Sequence, residues 1–107
     1  MNVLETLESI SHYPIPDVVI LTACTERGID ASIDVDEDVA QERSYCLAKA
    51  DCYRWLYFAP SSISENGVSF SMSQEEKRNY RMLANDLYRK FKVQPIPSIF
   101  GYKGSNF

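Results

Sequence analysis

The chain is short of the residues on which catalysis and cofactor binding usually depend. It has one histidine, His12, and four glycines in 107 residues. A phosphate cradle needs glycines clustered between a strand and a helix. Here they are scattered as Gly28, Gly67, Gly101 and Gly104, all in expected turns or in the last segment. His12 precedes a proline-rich connector and no nucleophile–base motif surrounds it, so a surface or helix-end position is expected. Cysteine is sparse and odd in number: Cys24, Cys46 and Cys52. None of the spacings is that of a zinc knuckle. Cys46 and Cys52 are six apart on an expected helix, which puts them on different faces and excludes a bridge between them. Reduced, mostly buried thiols in a cytosolic protein are expected.

Long apolar runs are missing too. The longest aliphatic run, Val18-Val19-Ile20-Leu21, is far short of the roughly 20 residues that cross a bilayer. The first residues, Met1-Asn2-Val3-Leu4-Glu5, carry no basic leader. The expectation is a cytoplasmic protein without a membrane partner. Asp34, Asp36 and Asp38 alternate as in part of a calcium loop, but Val39 stands where the loop needs glycine and Tyr45 where it needs glutamate. No catalytic, metal-binding or cofactor-binding residue is expected, and the chain reads as a non-enzyme.

What the sequence does contain is enough for one core. Its length suits a single domain that buries roughly two-thirds of its unfolded surface. Acidic residues outnumber basic ones, 15 to 11, for a formal net charge of −4. That balance disfavours sequence-specific nucleic-acid binding, which calls for a basic patch. The acids gather early (Asp30, Asp34, Asp36, Glu37, Asp38). The bases gather late (Lys77, Arg78, Arg81, Arg89, Lys90, Lys92), mostly on one face of the last helix.

Hydrophobic spacing predicts four helices. Val3, Leu4, Leu7 and Ile10 make a stripe over residues 2–11. Pro14 and Pro16 then force an extended connector. Asp17 is the expected N-cap of a second helix from Val18 to about Arg27, with Gly28 as its left-handed stop. A third, long helix is expected over residues 37–59, opened by Asp34 with Glu37 in a carboxylate capping box. Its aromatics, Tyr53, Trp55, Tyr57 and Phe58, fall on more than one face, which predicts burial at the centre of the domain or in a subunit interface. The gap of about nine residues between the second and third helices is too long for a helix-turn-helix, whose turn has three or four.

Asn66-Gly67 is the sharpest turn signal, and the alternation over Val68–Met72 is that of a half-buried strand. A lone strand leaves its backbone groups unpaired, so a hairpin within 63–72 or pairing with another copy is expected. Ser73 with Glu76 is a capping box for the fourth helix, which runs to about Phe91 on a stripe of Tyr80, Leu83, Ala84, Leu87, Tyr88 and Phe91. Trp55, Leu56, Leu83, Leu87 and Tyr88 are the expected core. The fold class is therefore mainly α: a four-helix domain over 1–92 with a short strand or hairpin between helices three and four, then an extended C-terminal tail over 93–107. Val68, Phe70 and Met72 of the strand, and Ile96, Ile99, Phe100 and Tyr102 of the tail, are the expected interface residues. Strand edges recruit partners, and the tail is too apolar to be left in water.

The order of these parts resembles a known family. The second helix ends Glu26-Arg27-Gly28-Ile29-Asp30, and the long helix carries Ala48-Lys49-Ala50-Asp51-Cys52-Tyr53-Arg54-Trp55-Leu56. Then come Gly67-Val68-Ser69-Phe70-Ser71 and Leu83-Ala84-Asn85-Asp86-Leu87-Tyr88-Arg89-Lys90-Phe91. Over roughly residues 1–92 this is similar to the small head–tail connector (adaptor, or head-completion) proteins of tailed bacteriophages and prophages. The resemblance implies a non-enzymatic, mostly helical subunit that forms or joins a ring at the portal. Its partners would be further copies and neighbouring virion proteins, without a small-molecule substrate, and its place the cytoplasm and then the virion. The acidic balance fits a channel through which DNA must slide. The competing reading is a cytoplasmic helical adaptor or regulator that binds a host protein through the aromatic helix.

Overall fold

Capping chemistry and proline set the element boundaries in a computed structural model, which describes residues 1–96. Helix α1 (Val3–Glu8) opens with a reciprocal box: the Glu5 amide donates to Asn2 Oδ1 at 2.8 Å, and the Asn2 amide donates to Glu5 Oε1 at 2.9 Å. It stops earlier than its apolar stripe does. Helix α2 (Asp17–Arg27) starts one residue before the expected position. Asp17 is its first helical residue and not its cap, because the Pro16 carbonyl already accepts from the Val19 amide at 3.0 Å. Gly28 adopts φ 78°, as expected. The Ile29 amide then reaches back to the Cys24 carbonyl (2.9 Å) and the Gly28 amide to that of Thr25 (3.2 Å), so two carbonyls of the last turn are satisfied.

The expected long third helix is two helices. Helix α3 (Glu37–Gln41) and helix α4 (Arg43–Phe58) meet at Glu42, whose backbone is extended (φ −68°, ψ 143°). Neither glycine nor proline marks this corner. It separates two environments: α3 buries no residue, while nine residues of α4 are buried. The cap of α3 also differs from expectation. Asp36, not Asp34, accepts from the Val39 amide, at 2.8 Å. Asp34 instead bridges to Asn2, holding the acidic loop against the start of α1.

Strands β1 (Ser62–Glu65) and β2 (Val68–Ser71) form an antiparallel hairpin in register Ile63↔Phe70. Asn66 and Gly67 both take positive φ (52° and 79°), as a two-residue turn between twisted strands requires. The strand foreseen in sequence is thus paired within the chain. Helix α5 (Gln74–Lys90) carries the expected box, Ser73 Oγ accepting from the Glu76 amide and Glu76 Oε1 from the Ser73 amide, both at 3.0 Å. The chain is mainly helical with a small two-stranded sheet, and its described residues form five helices where four were expected.

Helix α4 is the hub. It packs on α5 along one side and α2 along the other, and it touches α1 and α3, whereas α2 and α5 do not pack on each other. Leu47, Ala48, Ala50, Cys52 and Leu56 are fully buried. The alanines let neighbouring backbones come close, and Leu56 alone contributes about 1.5–3 kcal/mol by its burial. Tyr13 is also fully buried, and its hydroxyl donates to the Pro60 carbonyl at 2.8 Å, pinning the proline connector to the end of α4.

The face that α5 buries is rotated from the one its leucines define. Tyr80, Ala84, Asn85 and Tyr88 are buried, Leu87 is half-buried, and Leu83 is 37% exposed. Trp55, expected inside, is also only half-buried. The rotation brings Asn85 inward, where the Ile96 amide donates to its Oδ1 (2.7 Å) and its Nδ2 donates to the Ile96 carbonyl (3.0 Å). One side chain thus reproduces a rung of β-ladder for a segment that has no strand beside it. Ile96 is buried there.

Two outcomes follow from this packing. Asn85→Ala should cost about 1–3 kcal/mol by chemical denaturation, because it orphans both backbone groups of Ile96. Leu83→Ala should stay near the 0.5 kcal/mol typical of surface changes, and equal costs for the two would contradict the rotation. Burial raises the Cys52 thiol from its ordinary 9.0 to about 12, with smaller contributions from Cys24 and Asp51. Its folded value lies above its unfolded one, so the stability it contributes is full below pH about 9 and is lost as pH rises towards about 12. Urea midpoints should accordingly fall across that window, and less steeply in Cys52→Ala.

Candidate interaction surface

The strongest polar cluster sits where α2, α4 and α5 converge. Arg27 at the end of α2 grips Asp51 of α4 with two hydrogen bonds, Nε to Oδ2 at 2.7 Å and Nη2 to Oδ1 at 2.9 Å. The Tyr88 hydroxyl of α5 donates to the same Oδ1 at 2.5 Å. Asp51 is the one carboxylate on the middle of α4, and its position between two helices demands partners. The hydrogen bond to Asp51 raises the Arg27 pKa, while burial opposes that rise. Burial first, and then Asp51, hold the Tyr88 hydroxyl well above the usual tyrosine range. The node ties together two helices that do not otherwise touch. Its fork-shaped ion pair and phenol have the chemistry of a brace.

Beside the node, α2 and α4 diverge and leave a groove of about 550 Å³. Val18, Val19 and Ala23 line one wall, Trp55 and Phe58 the other, and Arg27 with Asp51 close one end. The groove is apolar at the surface: Val18 is 68% and Phe58 52% exposed, and Leu21 on the same helix is 44% exposed. A second recess of about 380 Å³ lies beyond Trp55, between the Tyr13–Asp17 connector and Ile63 of β1. Trp55 lines both and forms the wall between them.

The rim is acidic. Glu26 borders the first groove, and Asp17 and Glu65 border the second. All three are exposed. Acidity is dense near Asp17: Glu8 is held above the usual carboxylate range, first by a hydrogen bond with Asp17 and then by burial and by the charges of Asp17 and Glu5. Arg27 is matched by Asp51, and among the described residues lining the groove the other cation is Arg54, its guanidinium 5.9 Å from the centre of the Phe58 ring.

The interface residues expected from sequence divide three ways. Val68 is exposed, 52%, and available to a neighbour. Phe70 is half-buried against the core. Met72 and Ile96 are corrections: both are buried within this chain and present no face to a partner without local opening. Ile99, Phe100 and Tyr102 lie outside the described residues. His12 is at the surface, with Nε2 3.0 Å from the Ser71 carbonyl and Nδ1 3.8 Å from Glu76, where it buttresses the end of β2. The three cysteines are free and buried. Among the described residues no group of three or more His, Cys, Asp or Glu is placed to hold a metal ion, and no helix is long and apolar enough to cross a membrane.

The groove is not marked in the sequence by any motif, although Val18 and Leu21 lie in the longest aliphatic run and Trp55 in the aromatic helix. The available signal was the run itself, since four consecutive aliphatics on a helix cannot all face inward. Comparison with protein-family models, with curated proteins and with solved structures yields no match.

The node makes its own test. Asp51→Ala should lower stability by about 1.5–3 kcal/mol, the range for hydrogen bonds to charged groups, since Arg27 and Tyr88 both lose their acceptor. Tyr88→Phe should cost less, because Arg27 keeps its partner. A costlier Tyr88→Phe would mean that the phenol, and not the ion pair, holds the helices together.

Proposed function

We propose that the protein is a non-enzymatic assembly subunit, and that the assembly is the head–tail connector of a tailed bacteriophage or prophage, where it forms or joins a ring at the portal. The observation that carries the assembly reading is the exposed apolar groove around Trp55. The chain completes its own core elsewhere and still leaves Val18, Leu21 and Phe58 in water. Contiguous apolar surface of that kind marks a site for another protein. The connector reading draws further support from the order of segments, three short helices, a longer aromatic helix, a hairpin and a capped final helix. The flat outline, 42 × 41 × 19 Å, offers broad faces for side-by-side packing. The net charge of −4 would let DNA pass without adhering. On this reading the protein is found in the cytoplasm and then in the virion.

A second reading, a cytoplasmic adaptor or regulator that docks a host protein through the aromatic helix, is favoured by one observation: Trp55 and Phe58 of α4 reach the surface together. The readings part in a single experiment. The full chain, tagged and mixed with the portal and other virion proteins encoded beside it, should be retained by the portal. Retention by none of those proteins would give the place to the adaptor reading.

A further inference from the structure

We propose that the two recesses flanking Trp55 form one receptor site for a basic amphipathic helix of another protein chain; the proposal rests on the assembly reading above and names the chemistry of the partner. Three features of the site select that occupant. The first is apolar depth: the two recesses, about 550 and 380 Å³, share Trp55 and so make a track over which successive anchors on one helical face can seat.

The second feature is charge. Glu26, Asp17 and Glu65 stand exposed along the track; among the described residues that line it, Arg54 is the one cation not matched by an acid, since Arg27 is paired with Asp51. A basic partner is drawn to this rim, and an acidic one is repelled by it.

The third is the backbone. The first recess is walled by two helices, α2 and α4, whose interior amides and carbonyls are used within each helix. An extended peptide laid there would find no ladder of backbone partners, whereas a helix satisfies its own. The first recess therefore favours a helix over an added strand.

Trp55 is the chain's single tryptophan, so its emission reports on the site directly. The probe is a synthetic leucine–lysine peptide with one apolar helical stripe, titrated into the full chain. A peptide of the same stripe with glutamate in place of lysine serves as its counterpart. The basic peptide should shift Trp55 emission to the blue, saturably, and bind at least about tenfold more tightly than the acidic one. Val18→Ser with Phe58→Ser should weaken it about tenfold or more through lost anchors. Glu26→Lys with Glu65→Lys should weaken it similarly and flatten its salt dependence. All four positions are exposed, and circular dichroism with urea unfolding verifies that each variant is folded. Equal binding of both peptides, binding of neither, or binding indifferent to all four substitutions overturns the proposal. A third peptide with the sequence of residues 97–107 is the rival occupant, and tighter binding of that peptide also overturns it. None of these outcomes touches the portal experiment. A chain that binds the portal but not the basic peptide keeps the assembly reading and loses only this site.

Discussion

Burying α4 against both α2 and α5 is the condition from which the rest of the structure follows. A helix so enclosed must be apolar or small on both flanks. Leu47, Ala48, Ala50, Cys52 and Leu56 meet that demand with full burial. The one residue of this stretch that cannot simply be enclosed is Asp51. A carboxylate between two helices is tolerable only with its lone pairs filled, and each neighbouring helix supplies a donor, Arg27 from α2 and Tyr88 from α5. The partners also fix the geometry. Arg27 is the last residue of α2, and Gly28 in the left-handed region turns the chain away directly after it.

The same constraint explains where sequence patterning succeeded and where it did not. Stops and starts written in local chemistry were legible: Gly28, Asn66-Gly67 and the Ser73–Glu76 box each behave as their residue types dictate, because each bond is made within a few residues. Leu56 and Tyr88 were legible as core. The face of α5 was not, because the pattern counts leucines, and the packing against α4 favours Ala84 for close approach and Tyr88 for its hydroxyl. Asn85 reads as surface until the chain returns eleven residues later to present the Ile96 backbone to it. The corner at Glu42 was illegible for a related reason. Nothing local breaks the helix there; the turn answers to burial of α4 and solvation of the acidic α3, which only the folded chain reveals.

Of the candidate site, little could be read in advance. The aromatic helix had been given two roles, core or interface, and the structure divides them by face. Tyr53 and Tyr57 turn inward, Tyr53 stacking at 5.8 Å on Tyr80, while Trp55 and Phe58 turn towards α2 and the surface. The division is a matter of helical phase. With α2 and α5 on separate flanks of α4, residues that point between the flanks are covered only where another element arrives. The hairpin and the proline connector cover part of that arc through Ile63 and Tyr13, and they stop short of Phe58.

That shortfall separates this groove from an ordinary imperfection of packing. A gap in a core can close by small shifts of its lining. Here the walls are held apart by the node, because Arg27 and Asp51 fix the spacing of α2 and α4 at one end of the groove. Tyr13, pinned through Pro60, fixes the connector beyond Trp55. The polar contacts that stabilise the monomer therefore also preserve the opening. A preorganised apolar cleft binds with little reordering of its own side chains. The brace that enclosure of α4 made necessary is thus also what leaves Val18, Trp55 and Phe58 exposed as a ready surface for another chain.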